Sequence, residues 1–188
     1  MTAASFARWS ARLPTIASVG LALSMTRGSL AAQAAPEVAR LKQAYLADFT
    51  DLEKKLVALA EAFPAEKFSW RPMDGVRSVG AVVGLIAGEN YGFPRSYGGK
   101  APTGVPSEEA LEKLTDKTAL VRHLRESFAA AKQAIAAWSG KPEGPIQLWG
   151  EGRTLAGAFM VVMADQHEHL GQLIAYARMN RIVPPWSK

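Results

Sequence analysis

Residues 163–173, MADQHEHLGQL, hold two of the three histidines of the chain together with two acidic side chains. Asp165 and His169 are four residues apart, so on an α-helix they share one face. A carboxylate oxygen and an imidazole nitrogen one turn apart can bind the same divalent ion, and they can equally hydrogen-bond to each other. The spacing therefore leaves two interpretations open, a metal site or a buried polar pair.

The helical phase of this stretch separates its two histidines. Asp165 and His169 lie on the same side as Val162 and Leu173, so we predict that they face the core of the protein. His167 lies two residues from each of them and is predicted to face solvent. The stretch also lacks the helical zinc motif His-Glu-x-x-His, because its two histidines are not four apart. A metal would need a ligand from another helix.

Glu89 is the candidate for that further ligand. It lies in GLIAGENYGF on an apolar stripe with Leu85 and Phe93, where a carboxylate is unusual. It can act as a third ligand or a general base, or it can reach water at the end of the bundle. His123, beside the stripe of another helix, is predicted to lie at the surface. Gly171, in the middle of the last helix, is predicted to allow close approach by another helix, which would offset its low helix propensity.

Four amphipathic segments must position these side chains. Apolar residues repeat at steps of three and four over four stretches: residues 36–63, 79–93, 116–139 and 154–180. A shorter helical piece begins at Ser107. The N-cap candidates are Ser78, Asp116 and Thr154. The pattern predicts an all-α four-helix bundle, in which a crossover connection can replace simple up-and-down order.

Prolines and glycines mark the predicted ends of these segments. Pro36 and Pro64 are expected to bound the first helix, and Pro94 is expected to end the second. Residues 141–153, KPEGPIQLWGEGR, are rich in glycine and proline and are predicted to be irregular. No segment has the strict alternation of a β-strand.

The first 34 residues have the composition of an export signal. They contain three arginines and no acid, a short apolar run, LPTIASVGLALSM, and the small-x-small cleavage pattern Ala32-Gln33-Ala34. We expect a cleaved signal peptide over residues 1–34, a single helical domain over residues 35–188, and export to the periplasm or the medium. A chain that keeps its first residues would instead be cytoplasmic. The apolar run is too short to span a bilayer, so no stable membrane anchor is expected after processing.

Composition narrows the classes of function. The first 34 residues hold three of the 22 basic residues and none of the 17 acidic ones, so the rest carries a net charge of +2. Basic residues are not clustered, which argues against nucleic-acid binding. The chain has no cysteine, so thiol nucleophiles and zinc–thiolate sites are excluded. Partner binding, for example as a homodimer through apolar surface around Trp149 or Trp186, is an alternative to small-molecule chemistry.

Two stretches, SWRPMDGVRSVGAVVGLIAGENYGF and DQHEHLGQLIAYARMNRIVPPWS, resemble the DinB-like (DinB/YfiT) superfamily, and the resemblance runs from about residue 40 to the end of the chain. It implies a four-helix bundle that holds a divalent metal, often zinc or nickel, through three histidines. One of these lies on the second helix, and the other two lie four apart on the last long helix. Some members are metal-dependent transferases or isomerases that use low-molecular-weight thiols.

Carried over residue by residue, the resemblance implies an altered metal site. The second-helix histidine falls at Leu85 and the first of the pair falls at Asp165, so His169 alone matches. Glu89, one turn from Leu85, can replace the missing ligand, and two carboxylates with one histidine suit zinc, nickel or iron. The resemblance thus implies a divalent-metal-dependent hydrolase or thiol-dependent transferase for an unknown small molecule. The alternative is a metal-free bundle that binds a small molecule or a protein without catalysis.

Overall fold

Helices make up most of the chain in its computed structural model, which describes residues 17–141, 143 and 145–187, with side chains described from residue 35 onward. The α-helices in this part of the chain are α1 Ala17–Ala62, α2 Val79–Ser96, α3 Glu108–Glu112, α4 Lys117–Ala137 and α5 Leu155–Met179. The prediction of an all-α helical bundle is confirmed. No helix in the described ranges is both long enough and apolar enough to cross a membrane.

The chain divides into two units, residues 1–37 and residues 38–188. Of the predicted signal peptide, residues 1–16 lie outside the described residues. Helix α1 begins at Ala17 and contains Pro36, so the expectation that the first helix starts near Pro36 was wrong. The core and the candidate site belong to the second unit.

Side-chain caps start the helices of the second unit. The N-caps of α2, α4 and α5 are Ser78, Asp116 and Thr154, and each side chain accepts a hydrogen bond from the backbone N–H three residues on, as predicted. Ser107 caps the short α3 in the same way. Each cap satisfies a helix N–H that lacks an intrahelical partner and contributes about 1 kcal/mol.

Two lysines fix α1 antiparallel to α4. Lys42 donates to the carbonyls of Ala136 and Trp138 at the end of α4, while Lys117 at its start donates to those of Glu61 and Phe63. Between these ends the core is aromatic. The ring centroids of Tyr45 and Phe159 lie 4.0 Å apart, and those of Phe49 and Phe128 lie 4.7 Å apart.

Helix α2 is covered by α3 at two glycines. A Cβ at Gly84 would lie 2.3 Å from the carbonyl oxygen of Leu111, and one at Gly88 would lie 2.6 Å from Cγ of Glu108. These positions therefore need glycine for close packing. Gly171, for which a close contact was predicted, is exposed and would place a Cβ in open space. That prediction was wrong, because its face of α5 points away from the other helices.

Two short strands replace part of the irregular connection predicted before α5. Strands β1 Ile146–Leu148 and β2 Glu151–Arg153 pair antiparallel, with Ile146 opposite Arg153. Three residues are too few to show an alternating pattern, which explains why the sequence did not reveal them.

Helix α2 also continues through Pro94 to Ser96. The proline lacks the N–H that would bond to the carbonyl of Asn90, so the helix continues past it with one hydrogen bond fewer.

Candidate metal centre

Glu89, Asp165 and His169 meet between α2 and α5. Each offers one ligand atom, and these atoms all lie within 4.8 Å of one another. Helical phase brings them together, since the Asp165–His169 pair occupies one face of α5 while Glu89 projects from α2 toward it. The side chains of Glu89, Asp165 and His169 are 12%, 25% and 15% exposed. The structure thus brings together the three residues that the sequence singled out.

The distances from His169 to the two carboxylates are too long for direct hydrogen bonds. His169 Nε2 lies 3.8 Å from Glu89 Oε2 and 3.7 Å from Asp165 Oδ2, whereas an N–H···O bond spans about 2.7–3.2 Å. Two ligands at about 2.1 Å from one ion in tetrahedral geometry are roughly 3.4 Å apart. The observed separations lie within a few tenths of an ångström of that value, so the residues present fit a divalent ion.

Two of the same atoms have no hydrogen-bond partner among the described residues. Asp165 Oδ2 and His169 Nε2 are both shielded from solvent, and neither forms a hydrogen bond with the described part of the chain. An unpaired buried polar atom is costly, and native proteins rarely leave one without a reason. A shared cation would satisfy both atoms at once.

Gln166 supports Glu89 from the neighbouring helix. Its Nε2 donates to Glu89 Oε2 over 3.1 Å, and its side chain is fully buried. Sequence reasoning missed Gln166, although it lies four residues after Val162 and three before His169, on the core stripe. Asn90, also fully buried and missed, has no hydrogen-bond partner for its amide among the described residues.

Burial gives Glu89 an unusual proton affinity. Loss of solvation, followed by the charge of Asp165 and a hydrogen bond with it, raises the pKa of Glu89 to about 9. Glu108 adds to the rise, and Arg77 opposes it. Without an ion, the Glu89 carboxyl is therefore neutral at pH 7 and can donate a hydrogen bond to Asp165.

The other two histidines lie away from this centre. His167 is exposed, and its Nδ1 lies 2.8 Å from the carbonyl oxygen of Met163, so the predicted orientation is confirmed. His123 was predicted at the surface but is buried, with Nδ1 3.2 Å from the hydroxyl of Tyr91. The prediction failed because α4 packs on both α1 and α2, which widens its buried arc beyond one stripe.

A cleft of about 490 Å³ adjoins the candidate centre at Glu89. It is bounded by α2, by the segment that leads into α3, and by Trp149 in the turn between the strands. Leu85, where the resemblance places a histidine, is a buried apolar residue one turn before Glu89. Glu89 is therefore the α2 residue that both faces the α5 pair and borders a space large enough for a small molecule.

Comparison with known proteins gives one family. The family model described as the DinB superfamily matches residues 48–173, a range that contains all three members of the candidate centre. No curated protein matches the chain.

Proposed function

Since the chain belongs to the DinB superfamily, we propose that it binds one divalent metal ion through Glu89, Asp165 and His169 and acts as a metal-dependent hydrolase or thiol-dependent transferase. The observation that carries the proposal is a pair of buried atoms, Asp165 Oδ2 and His169 Nε2, which lie within reach of Glu89 and have no hydrogen-bond partner in the described part of the chain. Zinc, nickel and iron all accept a set of one histidine and two carboxylates.

The chain's own residues set up the chemistry. Gln166 donates to one oxygen of Glu89 and so orients the carboxylate toward the α5 pair. The mostly buried surroundings of the three ligands strengthen electrostatic interactions at the site. The cleft bordered by Glu89 gives a small molecule access to the centre from one side. When bound, a divalent ion supplies Lewis acidity and lowers the pKa of a water or thiol in its coordination shell.

Metal analysis tests the proposal most directly. Protein purified without a chelating column should contain one ion per chain, and protein stripped with a chelator should bind Zn²⁺, Ni²⁺ or Fe²⁺ in calorimetric titrations. His169→Ala should abolish this binding because it removes the only nitrogen ligand of the three. His167→Ala is the matched control, two residues away on the same helix, and should bind normally. Equal metal binding by the two variants would refute the site.

Two probe reactions separate the chemical alternatives. A hydrolase should release p-nitrophenol from p-nitrophenyl acetate, whereas a transferase should accelerate conjugation of glutathione with monobromobimane above the uncatalysed rate. Either activity should disappear with a chelator and in His169→Ala. A metal-loaded protein that accelerates neither reaction would leave metal binding standing and remove support for catalysis on these two classes of substrate.

A metal-free binding bundle is the second candidate function. It is favoured by Leu85, since this buried apolar side chain stands where the resemblance places a ligand. In that case Asp165 and the protonated Glu89 would form a polar pair that Gln166 completes. Normal folding together with no metal uptake at any pH would favour this alternative.

Export is a separate proposal. It rests on the arginines, apolar run and Ala32-Gln33-Ala34 pattern of the first 34 residues, and it makes residues 35–188 the mature protein.

A further inference from the structure

One residue that lines the cleft beside Glu89 has no role in the proposed metal centre. Trp149 borders this cleft at the turn between β1 and β2, and the residue is 51% exposed. Its backbone lies in the left-handed region, with φ 51°. A bulky residue rarely adopts such a conformation, and the strain persists only where the surroundings enforce it. Trp149 is not a member of the proposed metal centre, and the backbone conformation of the turn does not favour a tryptophan.

The turn itself prefers a different residue. Trp149 and Gly150 both have positive φ, at 51° and 82°, as in the two-residue type I′ turn of a β-hairpin. Asn-Gly is the favoured pair in that turn, because asparagine adopts the left-handed conformation at a lower cost than tryptophan does. The turn thus holds the Trp149 side chain beside the cleft in a backbone conformation that tryptophan rarely adopts.

The rest of the lining indicates what the ring could meet. Phe93, itself buried, also lines the cleft, and its ring centroid lies 6.5 Å from that of Trp149. Arg95, two residues further along α2, is exposed and forms no side-chain hydrogen bond or ion pair with the described part of the chain. It is the cation of the lining, which otherwise carries the acids Glu89 and Glu108.

We propose that Trp149, Phe93 and Arg95 form a recognition site for a small molecule that carries both a flat apolar group and a carboxylate. The apolar group would stack on Trp149, and the carboxylate would pair with the guanidinium of Arg95, whose geometry suits it. The inference rests on the proposed function only for the far end of the ligand, which would reach Glu89 and its ion. Binding by Trp149 and Arg95 does not require the metal.

The test compares two matched probes, 3-phenylpropionate and 3-phenylpropionamide, titrated by NMR in the presence of a chelator. Removing the metal ensures that any preference for the carboxylate comes from side chains. The carboxylate should bind about fivefold more tightly than the amide, the factor that one exposed ion pair provides. Arg95→Gln should remove this preference. No saturable binding of either probe to the folded wild type would overturn the inference.

A second cleft provides the matched control. Arg95 also borders a separate space of about 320 Å³, together with Lys141. Lys141→Gln should leave the preference for the carboxylate intact. If Lys141→Gln removes the preference and changes at Trp149 have no effect, the anion binds in this neighbouring cleft and the proposal is wrong.

Trp149→Asn distinguishes recognition from a structural role. This variant should weaken binding of both probes at least threefold, the effect of losing one aromatic contact. Its melting temperature should equal or exceed that of the wild type, because Asn-Gly suits the turn. Loss of stability with unchanged binding would assign Trp149 to the fold and overturn the inference.

Probe binding by a protein that never takes up metal would reject the proposed function and leave the recognition site standing.

Discussion

Replacing Glu89 with glutamine should stabilise the metal-free protein. Burial and the charge of Asp165 raise the pKa of Glu89 from its ordinary value of 4.5 to about 9. Between these two pH values the unfolded carboxyl is ionised while the folded one keeps its proton, so the unfolded state binds fewer protons. The free energy of unfolding therefore falls as the pH rises through this window, by up to about 1.36 kcal/mol per unit.

The size of the effect follows from the pKa. From pH 4.5 to pH 7 the wild type loses about 3 kcal/mol of stability through Glu89. Glutamine has nearly the same shape and no charge, can accept the bond from Gln166, and can donate to Asp165. Glu89→Gln should therefore match the wild type near pH 4.5 and exceed its unfolding free energy by about 3 kcal/mol at pH 7.

Metal should reverse this order. At a concentration a thousandfold above Kd, an ion that binds only the folded state adds about 4 kcal/mol of stability. The wild type should gain this, and Glu89→Gln should gain little because it has lost a ligand. In chelator, Glu89→Gln should have the higher unfolding free energy. This advantage over the wild type should disappear when metal is added.

Urea denaturation followed by circular dichroism measures these differences at pH 5, 7 and 8.5, with chelator and with metal. Glu168→Gln, at an exposed position on α5, is the control for loss of an acidic residue near the site. Should Glu89→Gln prove less stable than the wild type in chelator at pH 7, or show the same slope with pH, Glu89 is not a neutral buried carboxyl and the reasoning fails.

Three further predictions concern packing and processing. Gly84→Ala should lower the unfolding free energy by about 2 kcal/mol in the same denaturation assay, because its methyl group would lie 2.3 Å from the carbonyl oxygen of Leu111. Gly171→Ala, at an exposed helical position with open space around it, should raise it by about 1 kcal/mol; the same sign for both would contradict the packing described for α2 and α5. Mass spectrometry of protein from the native envelope fraction should find Ala35 or a close neighbour at the N-terminus, whereas recovery of intact Met1 in the cytosol would reject export.

The parts of the fold that local chemistry determines could be predicted from the sequence. Ser78, Asp116 and Thr154 were identified as caps because a cap depends on a few neighbouring residues, and the bundle followed from apolar periodicity. The hairpin at residues 146–153 could not be predicted, because each strand has three residues. Close contacts at Gly84 and Gly88 depend on where α3 lies, which a helical pattern does not specify.

Helical periodicity also predicted part of the candidate metal centre, but not all of it. Asp165 and His169 were found by helical phase, and Glu89 was found because it is an acid on an apolar stripe. Gln166 lies on the core-facing stripe of α5 but was missed. Glutamine is usually found at the surface, and it carries no charge that would mark a buried one as unusual. His123 was misplaced because its burial depends on two neighbouring helices at once.

The position of Glu89 along α2 links the altered ligand set to the cleft. The resemblance places the family's second-helix ligand at Leu85, and four helical residues advance about 6 Å along the axis. Moving the ligand one turn keeps it on the same face, so Glu89 still meets Asp165 and His169. The same shift brings it to the wall of the cleft that Arg95 and Trp149 also line. A carboxylate at this position can therefore take part in both sites, which a histidine at position 85 would not do, because residue 85 does not line that cleft.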